Sequence, residues 1–135
     1  MALKTYHGSC HCGAIRYEAD IDLANGAGRC NCTYCRKTRA WTTFMKPDAF
    51  RVLAGEDRAV AYHQHEQAPV KFHCPTCGVQ VYGRGDADYM GGPFVSVFVG
   101  TLDDATPEEL AAMPVRYSDG LNNNWQNPPA ITSYL

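Results

Sequence analysis

The hydrophobic pattern of this chain is typical of short strands separated by turn residues. Residues 14–21, AIRYEADI, alternate partly between apolar and polar side chains, as a strand with one buried face does. Segments 41–45, 59–65 and 79–85 are rich in β-branched and aromatic residues and lie between turn-forming residues. The apolar run at 94–100, FVSVFVG, predicts a strand that is buried on both faces. The pattern therefore predicts a mainly β protein.

One short helix is predicted near residues 107–113. Thr106 is a typical N-cap, the Pro-Glu-Glu that follows it suits a first helical turn, and Pro114 ends the segment. Residues 118–135 are rich in Asn and Pro, so we expect an irregular C-terminal segment in which Trp125 is a candidate anchor.

Length and charge limit the classes of protein to consider. A chain of 135 residues with 45% hydrophobic residues is most simply one domain, residues 1–135. The net charge of −2 disfavours binding to nucleic acid or to an anionic membrane. The N-terminus has no apolar signal region, and no apolar run approaches the ~20 residues that span a bilayer. We expect a cytoplasmic protein without nucleic-acid or membrane partners; a homo-oligomer stays possible.

The seven cysteines are the chemical signal of the chain. An odd number cannot pair fully into disulfides, and thiols in the cytoplasm stay reduced. Their clustering in three tight groups points to metal binding instead. The groups are Cys10-His-Cys12, Cys30-Asn-Cys32-Thr-Tyr-Cys35 and Cys74-Pro-Thr-Cys77.

Two of the groups predict one closed zinc site. C-x-x-C supplies two thiolates from a tight turn, and C-x-C does so from an extended segment, where residues two apart project to one face. Gly13 and Gly78 follow the second cysteine of each pair, and glycine permits the positive φ that such a turn needs. The four ligands of this site would be Cys10, Cys12, Cys74 and Cys77.

The remaining cysteines, Cys30, Cys32 and Cys35, do not fill a tetrahedral shell. His63 or His65 could supply a fourth ligand, although both are more readily explained as solvent-facing strand residues. Three thiolates with one position open to water or substrate is the usual pattern of catalytic zinc. We therefore favour an open site.

Charged and aromatic residues surround this second site in the sequence. Arg36, Lys37 and Arg39 could offset the charge of a three-thiolate zinc centre or attract an anionic substrate, or they could be a solvated basic turn. Tyr34 and Trp41 are candidates for the wall of a substrate cleft, with core packing as the alternative.

Four segments together resemble a known family. GSCHCGAIRYE, CNCTYCRKT, FHCPTCGVQVY and VSVFVGTLDD are similar to the glutathione-dependent formaldehyde-activating enzymes, also called the centromere protein V/GFA family, over residues 6–117. The C-terminal PVRYSDGLNNNWQNPP is similar to a short bacterial branch of that family. The resemblance implies an Mss4-like fold of folded-over antiparallel sheets with zinc-bearing turns and two zinc ions per chain. It assigns the structural ion to Cys10, Cys12, Cys74 and Cys77, and the catalytic ion to Cys30, Cys32 and Cys35.

The activity that the resemblance implies is a carbon–sulfur lyase reaction of the S-(hydroxymethyl)glutathione synthase type. Its partners would be a small thiol, with glutathione as the leading candidate, and an aldehyde, with Arg36, Lys37, Tyr34 and Trp41 as candidate contacts. Alternatives are a zinc hydrolase and a non-catalytic zinc-stabilised binding module. A thiol–disulfide protein would need C-x-x-C at the start of a helix after a strand, and no helical pattern follows Cys35 or Cys77.

Overall fold

The computed structural model of the protein describes residues 2–135, and within that range the chain forms ten strands and two α-helices. The mainly β class expected from the sequence is confirmed. The strands are β1 (Lys4–Ser9), β2 (Arg16–Ile21), β3 (Ala27–Cys30), β4 (Thr42–Met45), β5 (Phe50–Ala54), β6 (Val60–Tyr62), β7 (Val70–His73), β8 (Gln80–Ala87), β9 (Gly92–Phe98) and β10 (Val115–Ser118). The helices are α1 (Thr33–Thr38) and α2 (Pro107–Ala112).

The strands form two sheets of unequal size. The smaller has the order β1-β2-β5, and the larger has the order β10-β3-β4-β9-β8-β7-β6. Neighbouring strands run antiparallel, as expected, except that β10 runs parallel to β3 and places Ser118 opposite Cys30. The segment expected to be irregular, residues 118–135, includes Ser118, but that residue ends β10. The C-terminal segment thereby starts beside the three-cysteine group.

Strand β9 confirms the prediction of a strand buried on both faces, because all four residues from Phe94 to Val97 are buried. Strand β6 is shorter than the predicted segment 59–65 and ends at Tyr62. The polar residues that follow connect β6 to its antiparallel neighbour β7, so His63 and His65 lie in this connection and are exposed.

Helix α2 was predicted and helix α1 was not. Thr106 and Glu109 form a capping box at the start of α2, in which each side chain bonds the backbone N–H of the other residue. Helix α1 is only six residues long and has no periodic apolar stripe; it is held at its ends instead. The Cys32 sulfur caps its first turn, and Arg39 ends it in the left-handed conformation at φ 56°. The helix predicted near residues 107–113 is therefore confirmed, and α1 is a second helix that the sequence pattern does not indicate.

A row of packed aromatic rings joins the two sheets through the core. Tyr17 of β2 packs on Phe50 of β5 with ring centroids 5.3 Å apart, and Phe50 packs on Tyr82 of β8 at 5.1 Å. Phe72 of β7 stacks on Tyr82 at 4.8 Å. The buried hydroxyl of Tyr17 lies 2.7 Å from the Thr101 hydroxyl, so its polar group is satisfied. This packing fixes the β1–β2 turn relative to the β7–β8 turn.

No helix within residues 2–135 combines the length and the apolar character that a membrane crossing requires.

Candidate metal centres

Two turns on different sheets bring four cysteines together. Cys10 and Cys12 lie in the turn between β1 and β2, and Cys74 and Cys77 lie in the turn between β7 and β8. The sulfurs of Cys10 and Cys12 are 3.7 Å apart, and those of Cys12 and Cys74 are 3.6 Å apart. Four thiolates arranged tetrahedrally at the usual zinc–sulfur distance lie about 3.8 Å from one another. The four-cysteine group therefore has the spacing that zinc requires.

The backbone of both turns is built to hold thiolates. Gly13 and Gly78 adopt φ values of 82° and 77°, the left-handed region in which glycine carries no side-chain penalty. Backbone N–H groups point at the sulfurs, and that of Cys77 lies 3.5 Å from Cys74 Sγ. Backbone N–H groups lower the pKa of Cys77 to about 6, and that of Val79 has the largest effect. The Cys77 backbone N–H likewise lowers the pKa of Cys74, so the β7–β8 turn favours the deprotonated, metal-binding form of its two cysteines.

The second cluster gathers Cys30, Cys32 and Cys35 at the junction of β3 and α1. Cys30 ends the strand, Cys32 is the N-cap of the helix, and Cys35 lies in its first turn. All three sulfurs lie within 4.8 Å of one another. The group contains no histidine or carboxylate among residues 2–135, so the alternative in which His63 or His65 completes the shell gains no support.

The three sulfurs differ in how readily they lose a proton. The pKa of Cys32 is lowered, mainly by hydrogen bonds from the Cys30 and Cys35 thiols. Backbone N–H groups add a smaller effect, and that of Cys35 lies 3.4 Å from the Cys32 sulfur. The pKa of Cys35 is raised by hydrogen bonding to Cys30 and Cys32 and by burial.

A lysine of β7 is electrostatically coupled to the cluster. Burial lowers the pKa of Lys71, while negative charge on Cys35 and Cys32 opposes that shift. A half-buried cation thus faces the cluster from β7.

A small arginine-lined cavity opens beside two of the sulfurs. Its volume is about 10 Å³, roughly the room that one water molecule needs. Arg29 lies over the ring of Trp41, 5.2 Å from its centroid, and Arg39 donates a hydrogen bond to the Tyr134 carbonyl. The lining residues are Arg29, Cys30, Cys35, Arg36, Arg39, Ala40 and Leu135. This arrangement suits one small ligand atom in a positively charged surrounding.

The C-terminal segment covers the cluster on another side. Asn31, between two of the cysteines, is buried and donates a hydrogen bond to Asp119 at 2.8 Å. Its side-chain oxygen accepts one from the backbone N–H of Leu121 at 3.0 Å. Trp125 is 53% exposed and its ring lies against Gly120, so Asn31 provides the buried polar anchor of this segment. The ligand loop and the C-terminal segment are therefore one connected unit.

A larger cleft lies on the opposite face of α1. Its volume is about 480 Å³, within the range of small-molecule sites. The Tyr34 ring stacks on that of Tyr62 with centroids 6.0 Å apart, and the Lys71 ammonium lies 4.6 Å from the Tyr34 centroid. The cleft is lined by Thr33, Tyr34, Lys37, Thr38, Tyr62, Gln64, His73 and Gln80.

The structure thus separates the substrate residues suggested by the sequence. Arg36 lies at the arginine-lined cavity, whereas Tyr34 and Lys37 line the cleft. Trp41 is half buried and packs against the core, and its indole N–H has no hydrogen-bond partner in the described part of the chain. The four suggested residues therefore do not form one surface.

Sequence reasoning missed Arg29, Asn31, Lys71 and His73 as neighbours of the site. Arg29 and Asn31 flank Cys30 in the sequence, so their proximity was available as a signal. Lys71 and His73 reach α1 only through the pairing of β7 with its neighbours, for which the local sequence carries no sign.

Comparison with known proteins agrees with this geometry. The family model described as "Glutathione-dependent formaldehyde-activating enzyme" matches residues 5–117. The fold is similar to the crystal structure of a Rhodobacter sphaeroides protein solved as a structural genomics target, with a TM-score of 0.67 and 25% sequence identity. That match covers 82% of this chain and 99% of the other. The mainly β sheets with their cysteine-bearing turns are consistent with the Mss4-like fold expected from the sequence. The chain belongs to the glutathione-dependent formaldehyde-activating enzyme family.

Proposed function

We propose that the protein is a single-domain zinc enzyme, with two zinc ions, that joins a small thiol to an aldehyde or reverses that reaction. The four-cysteine group would hold a structural zinc ion, and Cys30, Cys32 and Cys35 would hold the catalytic one. Glutathione and formaldehyde are the leading substrates, because the family is named for them. One observation carries the proposal: three sulfurs cluster without a fourth protein ligand among residues 2–135, and two of them, those of Cys30 and Cys35, border a cavity of about 10 Å³.

The reaction is an addition across the carbonyl bond. The thiol sulfur forms a bond to the aldehyde carbon, the C=O π bond breaks, and the thiol proton ends on the oxygen. No oxidant or reductant is needed. A zinc ion at the three-cysteine site would lower the pKa of a substrate thiol and polarise a carbonyl.

The residues of the chain would position and shield the reactants. Arg36 and Arg39 border Cys35 in the cavity, where their charge would offset the thiolates and attract a carboxylate of the substrate. The C-terminal segment, anchored on Asn31, would limit the access of water from its side of the cluster. Neither the cavity nor the cleft is lined by an acidic side chain, so a carboxylate general base has no place in the proposal.

The test is exchange NMR near equilibrium, because uncatalysed addition of thiols to aldehydes is fast. The zinc-loaded protein should accelerate exchange between glutathione, formaldehyde and their adduct. Cys32→Ser should abolish the acceleration and leave the fold intact, since the four-cysteine site is untouched. If exchange is no faster with the native protein than with Cys32→Ser across several thiols and aldehydes, the lyase function is excluded.

A thiol–disulfide function gains one supporting observation. Cys32 and Cys35 form a C-x-x-C at the start of α1, directly after β3. This is the context that a thiol–disulfide protein requires, although the sequence pattern does not indicate the helix. In that function the two cysteines would form a disulfide while a partner disulfide is reduced to two thiols. Zinc stoichiometry with thiol titration distinguishes the two functions. Two zinc ions and few reactive thiols support the lyase, whereas one zinc ion and three reactive thiols support the alternative.

We propose a cytoplasmic location, because cysteines that remain unpaired and free to bind zinc suit a reducing compartment.

A further inference from the structure

Asn31 is a buried polar residue in the loop that carries the three cysteines. It lies between Cys30 and Cys32 and is only 4% exposed. Its backbone N–H donates a hydrogen bond to the Ser118 carbonyl at 3.3 Å, which continues the pairing of β3 with β10. A buried side-chain amide is costly unless its donors and acceptors are paired. The shape of the loop therefore depends on the partners of this amide.

Both ends of the Asn31 amide bond the C-terminal segment. Its NH₂ group donates to the Asp119 carboxylate at 2.8 Å, and its oxygen accepts from the Leu121 backbone N–H at 3.0 Å. One donor and one acceptor of the same planar amide are used, so its orientation is fixed from two sides. Asp119 and Leu121 flank Gly120 in the sequence, and the two bonds therefore hold the backbone on both sides of that glycine.

The Asp119 carboxylate is itself held in place by its own segment. The side-chain amide of Asn122 donates to both of its oxygens, at 3.1 and 3.0 Å. The Asp119 backbone carbonyl accepts from the N–H of Asn124 at 2.9 Å. Hydrogen bonds from Asn31, and then from Asn122, lower the pKa of Asp119, so it is ionised at neutral pH. Asn31 thus donates to a fixed anion, and such a bond is stronger than one between neutral groups.

This link covers one side of the Cys30 sulfur. A Cβ atom added to Gly120 would be 2.6 Å from Cys30 Sγ, so the glycine backbone lies directly on the sulfur. The same sulfur accepts a hydrogen bond from the Cys32 N–H at 3.3 Å, and that peptide group directly follows Asn31. Cys30 also borders the arginine-lined cavity, whose lining comes from residues between 29 and 40 and from Leu135. The sulfur is therefore covered by the C-terminal segment on one side and open to the cavity on another.

We infer that Asn31 is a positioning residue of the three-cysteine site, which acts through Asp119 and Leu121 to close the Gly120 side of a metal ion held there and to leave it open toward the arginine-lined cavity. The inference rests on the proposed function for the presence of that ion and not for the reaction. Without the link, the C-terminal segment could move away from Cys30, and solvent would reach the ion from a second side. The ion would then be held less tightly.

Zinc affinity measured by competition with a colorimetric chelator tests the inference. Asn31→Ala should lower the affinity of the three-cysteine site by about tenfold or more, as is usual when a group that orients metal ligands is removed. The affinity of the four-cysteine site, measured separately in Cys32→Ser, should be the same with and without the Asn31 substitution. Asn127→Ala removes an exposed amide from the same C-terminal segment, and this control should bind zinc like the native protein.

Conservative variants separate the hydrogen bond from simple packing. Asp119→Asn keeps an oxygen that can accept from Asn31 and should retain most of the native affinity, whereas Asp119→Ala should resemble Asn31→Ala. Asn31→Asp keeps the shape of the side chain but replaces the donor with a second carboxylate, so it should also weaken the site. Cobalt(II) in place of zinc reports on closure, because its d–d bands lose intensity when solvent adds to the metal. The bands of the three-cysteine site should weaken in Asn31→Ala and stay native in Asp119→Asn.

Four outcomes would each overturn the inference: native zinc affinity in Asn31→Ala, equal losses at both metal sites, an Asp119→Asn variant as weak as Asp119→Ala, or unchanged cobalt bands. None of them requires turnover. A protein that catalyses thiol–aldehyde exchange but gives one of these outcomes keeps the proposed function and loses the positioning role of Asn31. A protein that passes this test but catalyses no exchange loses the proposed function and keeps the positioning role. Failure of the three cysteines to bind any ion would overturn both.

Discussion

Gly120 of the C-terminal segment lies directly against the sulfur of Cys30. A Cβ atom built at Gly120 would be 2.6 Å from Cys30 Sγ and 2.5 Å from the ring of Trp125, and atoms of folded proteins do not approach so closely. Glycine is therefore the residue that lets this segment close over the cluster. The candidate active site consequently extends beyond the three cysteines to a residue ninety positions away in the sequence.

Gly120→Ala should disturb the three-cysteine site selectively. The exposed ring of Trp125 can move aside, but a sulfur that is bound to metal cannot, so the added methyl group strains Cys30. We expect zinc affinity at this site to fall by about 10–100-fold, as is usual when the surroundings of metal ligands are altered. Zinc release measured with a colorimetric chelator checks the prediction. Gly100→Ala is the matched control, since nothing lies within 4 Å of an added Cβ there. Equal zinc retention in both variants would contradict the contact.

The two metal sites should release zinc in a fixed order. Three ligands chelate less strongly than four, and an open position admits competing thiols, so a mild chelator should empty the Cys30, Cys32 and Cys35 site first. The β-rich circular dichroism spectrum should persist after loss of that ion. Simultaneous loss of both ions together with the fold would show that the three-cysteine site is structural.

Cys74→Ser should destabilise the whole fold. Cys74 is fully buried where the β7–β8 turn meets the β1–β2 turn, and structural zinc sites contribute on the order of 10 kcal/mol or more to folding in small peptides. We expect an insoluble protein or a melting temperature that is markedly lower. Thr76→Ser, in the same turn and exposed, is the control and should melt like the native protein. Full metal content and an unchanged melting temperature in Cys74→Ser would disprove the structural role.

Glu109 should make the stability of the protein depend on acid pH. The pKa of Glu109 is lowered from 4.5 to about 2, mainly by the Lys4 ammonium, which lies 2.8 Å from its carboxylate. The Thr106 backbone N–H and the Tyr6 hydroxyl add smaller effects by donating hydrogen bonds. Because the folded-state pKa is the lower one, the stabilisation is complete above pH about 5 and disappears as the pH falls through about 2. Glu109→Gln should therefore reduce the free energy of unfolding at pH 7 by more than it does at pH 3.

Chemical denaturation at the two pH values measures this difference. Glu108→Gln, which changes an exposed neighbour in the same helical turn, is the control and should behave like the native protein at both. A constant difference between native protein and Glu109→Gln from pH 7 to pH 3 would contradict the prediction.

The features that the sequence predicted well are those in which each residue signals its own environment. The run from Phe94 to Val97 is apolar enough to identify a doubly buried strand, and Thr106 with Glu109 specifies a helix start through local contacts alone. The cysteine pairs with their glycines likewise identify two turns whose sulfurs could hold a metal ion, without knowledge of the sheets.

The features that the sequence did not predict depend on contacts between distant segments. Helix α1 has no apolar stripe and is stabilised at its ends by the Cys32 cap and the left-handed Arg39. The strand predicted through His65 ends at Tyr62, because the chain must turn there to pair β6 with β7. Lys71 reaches Tyr34 of α1 only through the pairing of β7 with its neighbours. Gly120 reaches the Cys30 sulfur only because Asn31 anchors the C-terminal segment.

The central claim is that Cys30, Cys32 and Cys35 hold a metal ion with one position open to a thiol. The most direct test replaces zinc with cobalt(II), whose visible absorption reports on sulfur coordination, and then adds glutathione. We predict that the sulfur-to-cobalt charge-transfer bands of the native protein intensify with saturation at one thiol per chain. Cys32→Ser, which retains only the four-cysteine site, should show no change. A native spectrum that does not respond to glutathione while both sites are loaded would contradict the claim.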